Sequence, residues 1–87
     1  MKDNEFLARV QKKIERLTGR RVNLQIDDRN VSQMGVELDG ELPTVILGSN
    51  VLDYSGFARM GIEYAVACIR QERTIDREEF HVLLARN

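Results

Sequence analysis

Between Phe57 and Ile69 only Arg59, Gly61, Glu63 and Tyr64 interrupt a run of Ala, Met, Ile, Val and Cys. As a helix from about Gly56 to Arg70, this stretch is apolar around most of its circumference, and such a helix is normally buried on more than one side. The chain must therefore supply a sheet, another helix or a second subunit to cover it. Ile62, Val66 and Ile69 face away from Phe57, Met60, Tyr64 and Cys68, so they are expected to carry apolar surface beyond what the chain itself covers. They form the candidate protein interface, for a partner or for a homodimer.

The rest of the chain has to provide that cover with little material. Its 87 residues allow one hydrophobic core and not two, so residues 1–87 are expected to be a single small domain. With 43% apolar and 31% charged residues and one proline, the composition suits a folded globule and argues against disorder.

The pattern along the chain predicts α+β architecture in the order α-β-β-β-α-α. Phe6, Leu7, Val10, Ile14 and Leu17 recur at three- and four-residue steps, one buried helical stripe, with Asp3 or Asn4 as its cap. Thr18-Gly19 should end that helix, because glycine reaches the left-handed conformation that stops one. Residues 22–26 alternate apolar and polar, as do residues 34–38, and Leu42 to Leu47 supply a third strand. Asp39-Gly40 predicts a two-residue hairpin turn with positive φ angles. Pro43 cannot donate to a ladder and belongs at a strand start or on an edge. The three strands are expected to form an antiparallel sheet packed on the helices. Asp53 or Ser55 is placed as the cap of the apolar helix. Asp76 and Glu79 form a capping box for a last helix with Phe80, Leu83 and Leu84 as its narrow stripe, docked on the helix before it.

Charge is unevenly spread although the net value is −1. Residues 1–21 hold seven Lys/Arg against three Asp/Glu, and residues 22–56 hold one against six. The basic first helix and the acidic middle segment are expected to neutralise each other in the fold, the alternative being two faces of opposite sign. Arg9, Lys12, Lys13, Arg16, Arg20 and Arg21 are the candidate nucleic-acid contacts, since backbone phosphates need several cations on one surface. The aromatic residues sit mostly at core-like positions, so a stacking platform for single-stranded RNA has little support.

Other chemistry finds few residues to work with. A single cysteine, Cys68, excludes an intrachain disulfide and suits a reducing cytosol, and it lies mid-helix where burial silences a thiol. With His81 thirteen positions away as the one histidine, no zinc-ligand spacing exists. Asp27, Asp28, Asp39, Glu41 and Asp53 fall at strand ends and turns; a carboxylate enzyme would need at least two of Asp27, Asp39 and Asp53 in one pocket, whereas turns and caps already explain them. Ser49 and Ser55 sit in turn and cap contexts. Leu47-Gly48-Ser49-Asn50 follows a strand and precedes a helix but lacks a phosphate-loop lysine. No cofactor is expected. The N-terminus has no signal-peptide apolar stretch, and no apolar run approaches the ~18 residues of a membrane span, so a cytoplasmic protein is expected.

Over residues 4–70 the order of elements resembles the start of minimal zincin-type metallopeptidase domains. Thr44-Val45-Ile46-Leu47, Gly48-Ser49-Asn50 and Phe57 to Ala65 are similar to the stretch leading into the zinc helix. In that family the helix carries two histidines that bind zinc and a glutamate base. Here Gly56 to Arg70 holds no histidine. The resemblance therefore implies a scaffold, reused for protein contacts, without zinc ligands or peptidase activity. The order also resembles αββ regulatory domains. A non-enzymatic interaction or regulatory domain is the function expected, with nucleic-acid binding through the first helix as the alternative.

Overall fold

The computed structural model describes residues 2–27, 29, 34–48 and 55–86, and the elements follow the expected order. Helix α1 spans Lys2–Thr18, strands β1, β2 and β3 span Asn23–Asp27, Met34–Glu37 and Thr44–Gly48, and helices α2 and α3 span Ser55–Gln71 and Arg77–Arg86. Because α1 starts at Lys2, Asp3 and Asn4 lie in its first turn rather than capping it, and Ser55 likewise begins α2. Asp53 lies outside the described residues.

The predicted stripe places α1. Val10 and Ile14 are buried, Phe6 packs half-buried against the same core, and Leu7 is half-buried. Leu17, the last of the stripe, is 39% exposed. Gly19 takes φ 69° and donates its amide to Glu15 O at 2.8 Å, ending the helix as its sequence predicts. The chain is then tied back to α1 at Val22. Its amide donates to Glu15 Oε2 at 3.0 Å and its carbonyl accepts from Gln11 Nε2 at 2.8 Å. Both backbone groups of a buried residue are thus satisfied by one helix face.

The sheet is mixed, not antiparallel throughout, and its order is β1-β3-β2. β2 runs antiparallel to β3, with Val36 opposite Val45, whereas β1 lies parallel to β3 on the other side, with Leu24 opposite Val45. The burial of β3 explains its central place: Val45, Leu47 and Gly48 are buried, while Gln25 of β1 and Glu37 of β2 are exposed. The most continuously apolar strand takes the site with a neighbour on each edge. Between β2 and β3 the connection is residues 38–43, longer than the two-residue hairpin that Asp39-Gly40 predicts. Gly40 lacks the positive φ which that turn requires. Pro43 is buried just before β3 and its carbonyl accepts the Asn23 amide at 2.8 Å, so the ladder begins only at Thr44.

Helix α2 packs on both α1 and the sheet, which is how its apolar girth is covered. Ala65, Cys68 and Ile69 are almost inaccessible, and the core extends through Val10, Ile14, Val36, Val45 and Leu47. The residues of α2 expected to remain free are largely covered within the chain. Ile69 is 1% and Val66 9% exposed and Ile62 is half-buried, whereas Met60, placed on the inner side by sequence, is 37% exposed. The sheet and α1 together claim a wider arc of α2 than a single contact stripe would.

At its end, α2 closes with a left-handed Glu72 (φ 57°), whose amide donates to Ile69 O and whose successor Arg73 donates to Cys68 O, both at 3.2 Å. This is the hydrogen-bond pattern of a Schellman cap, with glutamate where glycine is usual. Helix α3 begins on Asp76, whose Oδ1 accepts the Glu79 amide at 2.8 Å. Only that half of the predicted capping box forms. The Glu79 carboxylate instead takes the Arg73 guanidinium through both oxygens.

Candidate protein-interaction site

Helix α3 meets α2 through a few side chains rather than along its length. Phe80 is buried and sets its ring edge-on to Tyr64, centroids 5.3 Å apart. The Tyr64 hydroxyl donates to Ile75 O at 2.6 Å, fixing the buried Ile75 just before α3. Burial, then contact with Cys68, pushes the Tyr64 phenol up to about 12. The hydroxyl therefore stays protonated and serves as a donor at neutral pH.

Because this docking is local, a groove of about 680 Å³ remains over the outward arc of α2. Its apolar lining is Leu17 of α1, Val66 and Ala67 of α2, and Phe80, Leu83 and Leu84 of α3. Leu83 and Leu84 are only half-buried in the folded chain. The polar lining is Arg59, Glu63, Arg70, Gln71 and Arg86, three cations against one carboxylate. Arg59 pairs with Glu63 at 3.5 Å. Arg70 donates to Leu17 O at 2.7 Å and so covers a carbonyl at the end of α1. Arg86 has no ion-pair partner among the described residues.

Of the sequence-predicted interface, Val66 alone lines this groove; Ile69 is sealed in the core and Ile62 packs against it. Sequence reasoning missed Leu17, Ala67, Leu83, Leu84 and Arg86. One signal was present. Leu83 and Leu84 are adjacent on a helix, so they point about 100° apart and cannot both be spent on one docking contact.

The basic residues of the first helix form a separate surface. Arg9, Lys12, Lys13 and Arg16 recur at three- and four-residue steps and are exposed, as are Arg20 and Arg21 beyond the helix end. Arg9 lies 3.9 Å from Glu5 and Arg20 3.9 Å from Glu72. Lys12, Lys13, Arg16 and Arg21 have no ion pair among the described residues, and neither do Glu37, Asp39 and Glu41 of the acidic middle segment. The expected mutual neutralisation of the two segments is therefore not what these residues do. Strand and helix hydrogen bonds already fix both backbones, and each set of charges stays in water.

Asp27 ends β1 beside Gly48, at one end of β3, and Asp39 lies in the connection entering the opposite end, so the two share no pocket. Asp27 accepts the Arg29 amide at 2.9 Å as a turn-forming carboxylate. Asp28, Ser49, Asn50 and Asp53 lie outside the described residues. Cys68 is fully buried and His81 exposed, and no group of three metal-ligating side chains is found among the described residues. No described helix is long and apolar enough to cross a membrane. The stretch compared in the sequence with zincin-type domains falls in part in β3 and α2, and α2 has no histidine. Searches of protein-family models, curated proteins and solved structures find no match to this chain.

Proposed function

We propose that this chain is a non-enzymatic interaction domain that docks a protein segment, from a partner or from a second copy, in the groove on the outward face of α2. The observation that carries this is the groove itself: about 680 Å³ between α2, α3 and the end of α1, lined by six apolar side chains together with Arg59, Glu63, Arg70, Gln71 and Arg86. Apolar floors with polar margins are how protein-binding surfaces are built, and grooves between helices commonly receive an amphipathic helix. The buried, free Cys68 suits a reducing cytosol as its setting.

Titrating isotope-labelled protein with a leucine-striped amphipathic peptide whose polar side is only Gln tests the reading without charge. Amide shifts confined to residues 59–71 and 80–86 support it. It fails if no such shifts occur and the chain also remains a monomer as its concentration is raised.

A second reading rests on the cations of α1 that make no ion pair among the described residues. Lys12, Lys13 and Arg16 would contact a nucleic-acid backbone, with affinity that falls steeply as salt rises. Changing all three to Glu should then abolish binding to a duplex at low salt; unaltered duplex binding by that variant ends this reading.

A further inference from the structure

The charge of the groove bears on its occupant. A two-fold dimer built on this groove would bring the same rim against itself, since an isologous contact pairs a surface with its own copy. The joined groove would then gather six arginines against two Glu63 carboxylates, a net excess of positive charge inside one interface. Like charges brought together in an interface oppose it, and opposite charges select the partner and speed its encounter. Two of the cations are also partly committed within the chain. Arg59 contacts Glu63 and Arg70 covers Leu17 O, which leaves Arg86, at the end of α3, without an ion pair among the described residues. The groove therefore offers excess positive charge beside the apolar side chains of Leu17, Leu83 and Leu84.

We infer that the groove receives an acidic amphipathic helix of a different protein, with leucine-like anchors on its inner face and carboxylates against Arg59 and Arg86. The inference rests on the protein-docking function proposed above and narrows it to one partner chemistry. The occupant's apolar side chains fill the space between Leu83, Leu84 and Leu17, while its carboxylates meet the rim, where charge governs specificity and association rate.

The test uses three synthetic helical peptides with the same leucine stripe and a polar face of Glu, Lys or Gln, measured by fluorescence anisotropy against the full chain. The Glu peptide is expected to bind about tenfold more tightly than the Lys peptide, a gap that narrows as salt rises. R59E/R86E should erase or reverse the preference, and R59K/R86K should keep it. Both residues are exposed, and Arg70 is left intact because it holds the end of α1. K12E/K13E/R16E should leave the preference in place. If the α1 variant removes it instead, the carboxylates are reading the basic stripe and the inference is overturned. Equal binding of all three peptides in the groove overturns the acidic partner and leaves protein docking standing. Binding by none of them, from a chain that stays monomeric, overturns both. Growth in mass with concentration that R59E/R86E abolishes would assign the groove to a second copy and overturn the inference.

Discussion

Two residues with left-handed backbones illustrate how unequal local solutions coexist in one small chain. Gly19 at φ 69° ends α1, and a Cβ there would meet nothing within 4 Å. The cost of Gly19→Ala is therefore conformational, not steric, and about 1 kcal/mol of stability should be lost, lowering Tm by about 4–8 °C. Glu72 occupies the equivalent position after α2 at φ 57° without glycine's freedom, and its pairing with Arg20 is exposed at 3.9 Å. Glu72→Gly should be neutral or stabilising by up to about 1 kcal/mol, because removing strain outweighs a weak surface ion pair. Thermal unfolding of the two variants side by side checks both signs. A Gly19→Ala protein as stable as the parent would show that α1 has another stop.

At the scale of elements, α3 is the piece with the narrowest attachment. Phe80 inserts beside Tyr64, and the Tyr64 hydroxyl holds Ile75 O at 2.6 Å. Tyr64→Phe keeps the ring contact and leaves that carbonyl without its donor, so about 1 kcal/mol should be lost, with faster amide exchange concentrated in residues 75–86. The same phenol sets a pH response. Its value is raised from 10.0 to about 12, mainly by burial, so the folded state keeps a proton that the unfolded chain gives up above pH 10. The stability this contributes is complete below about pH 10 and declines as pH rises toward 12. The stability difference between wild type and Tyr64→Phe should shrink over that window, and the phenolate absorbance that wild type shows and Tyr64→Phe lacks, a difference which removes the contribution of Tyr54, gives an independent check. On the other side of α3, Arg73 holds the Glu79 carboxyl below its usual range by hydrogen bonding. That small contribution is present at neutral pH and is lost as acid protonates the carboxylate.

Across the whole molecule, a radius of gyration of 12.1 Å is what about 90 residues give when fully compacted, so the groove lies on a closed fold rather than in a gap between units. Its arginine rim disfavours a face-to-face dimer, and light scattering at two concentrations is expected to give a mass near 10.0 kDa at both. A mass that doubles with concentration would contradict that charge argument. The sequence by itself determined the six elements and their order, the stop at Gly19, the placement of Cys68 in the core and the Asp76 cap of α3. These depend on contacts a few residues apart or on side-chain periodicity, which are written locally. Only the tertiary structure decided that β1 runs parallel to β3, that residues 38–43 replace a tight hairpin, and that Glu79 leaves its capping box for Arg73. It also decided which arc of α2 meets solvent. Ile62, Val66 and Ile69 repeat on one helical side as plausibly as Ala65, Cys68 and Ile69 do, and a helix apolar nearly all round carries no internal mark of its outer face. That choice was made by how much of α2 the sheet and α1 jointly cover and by how loosely α3 docks, quantities that exist only once distant segments have come together.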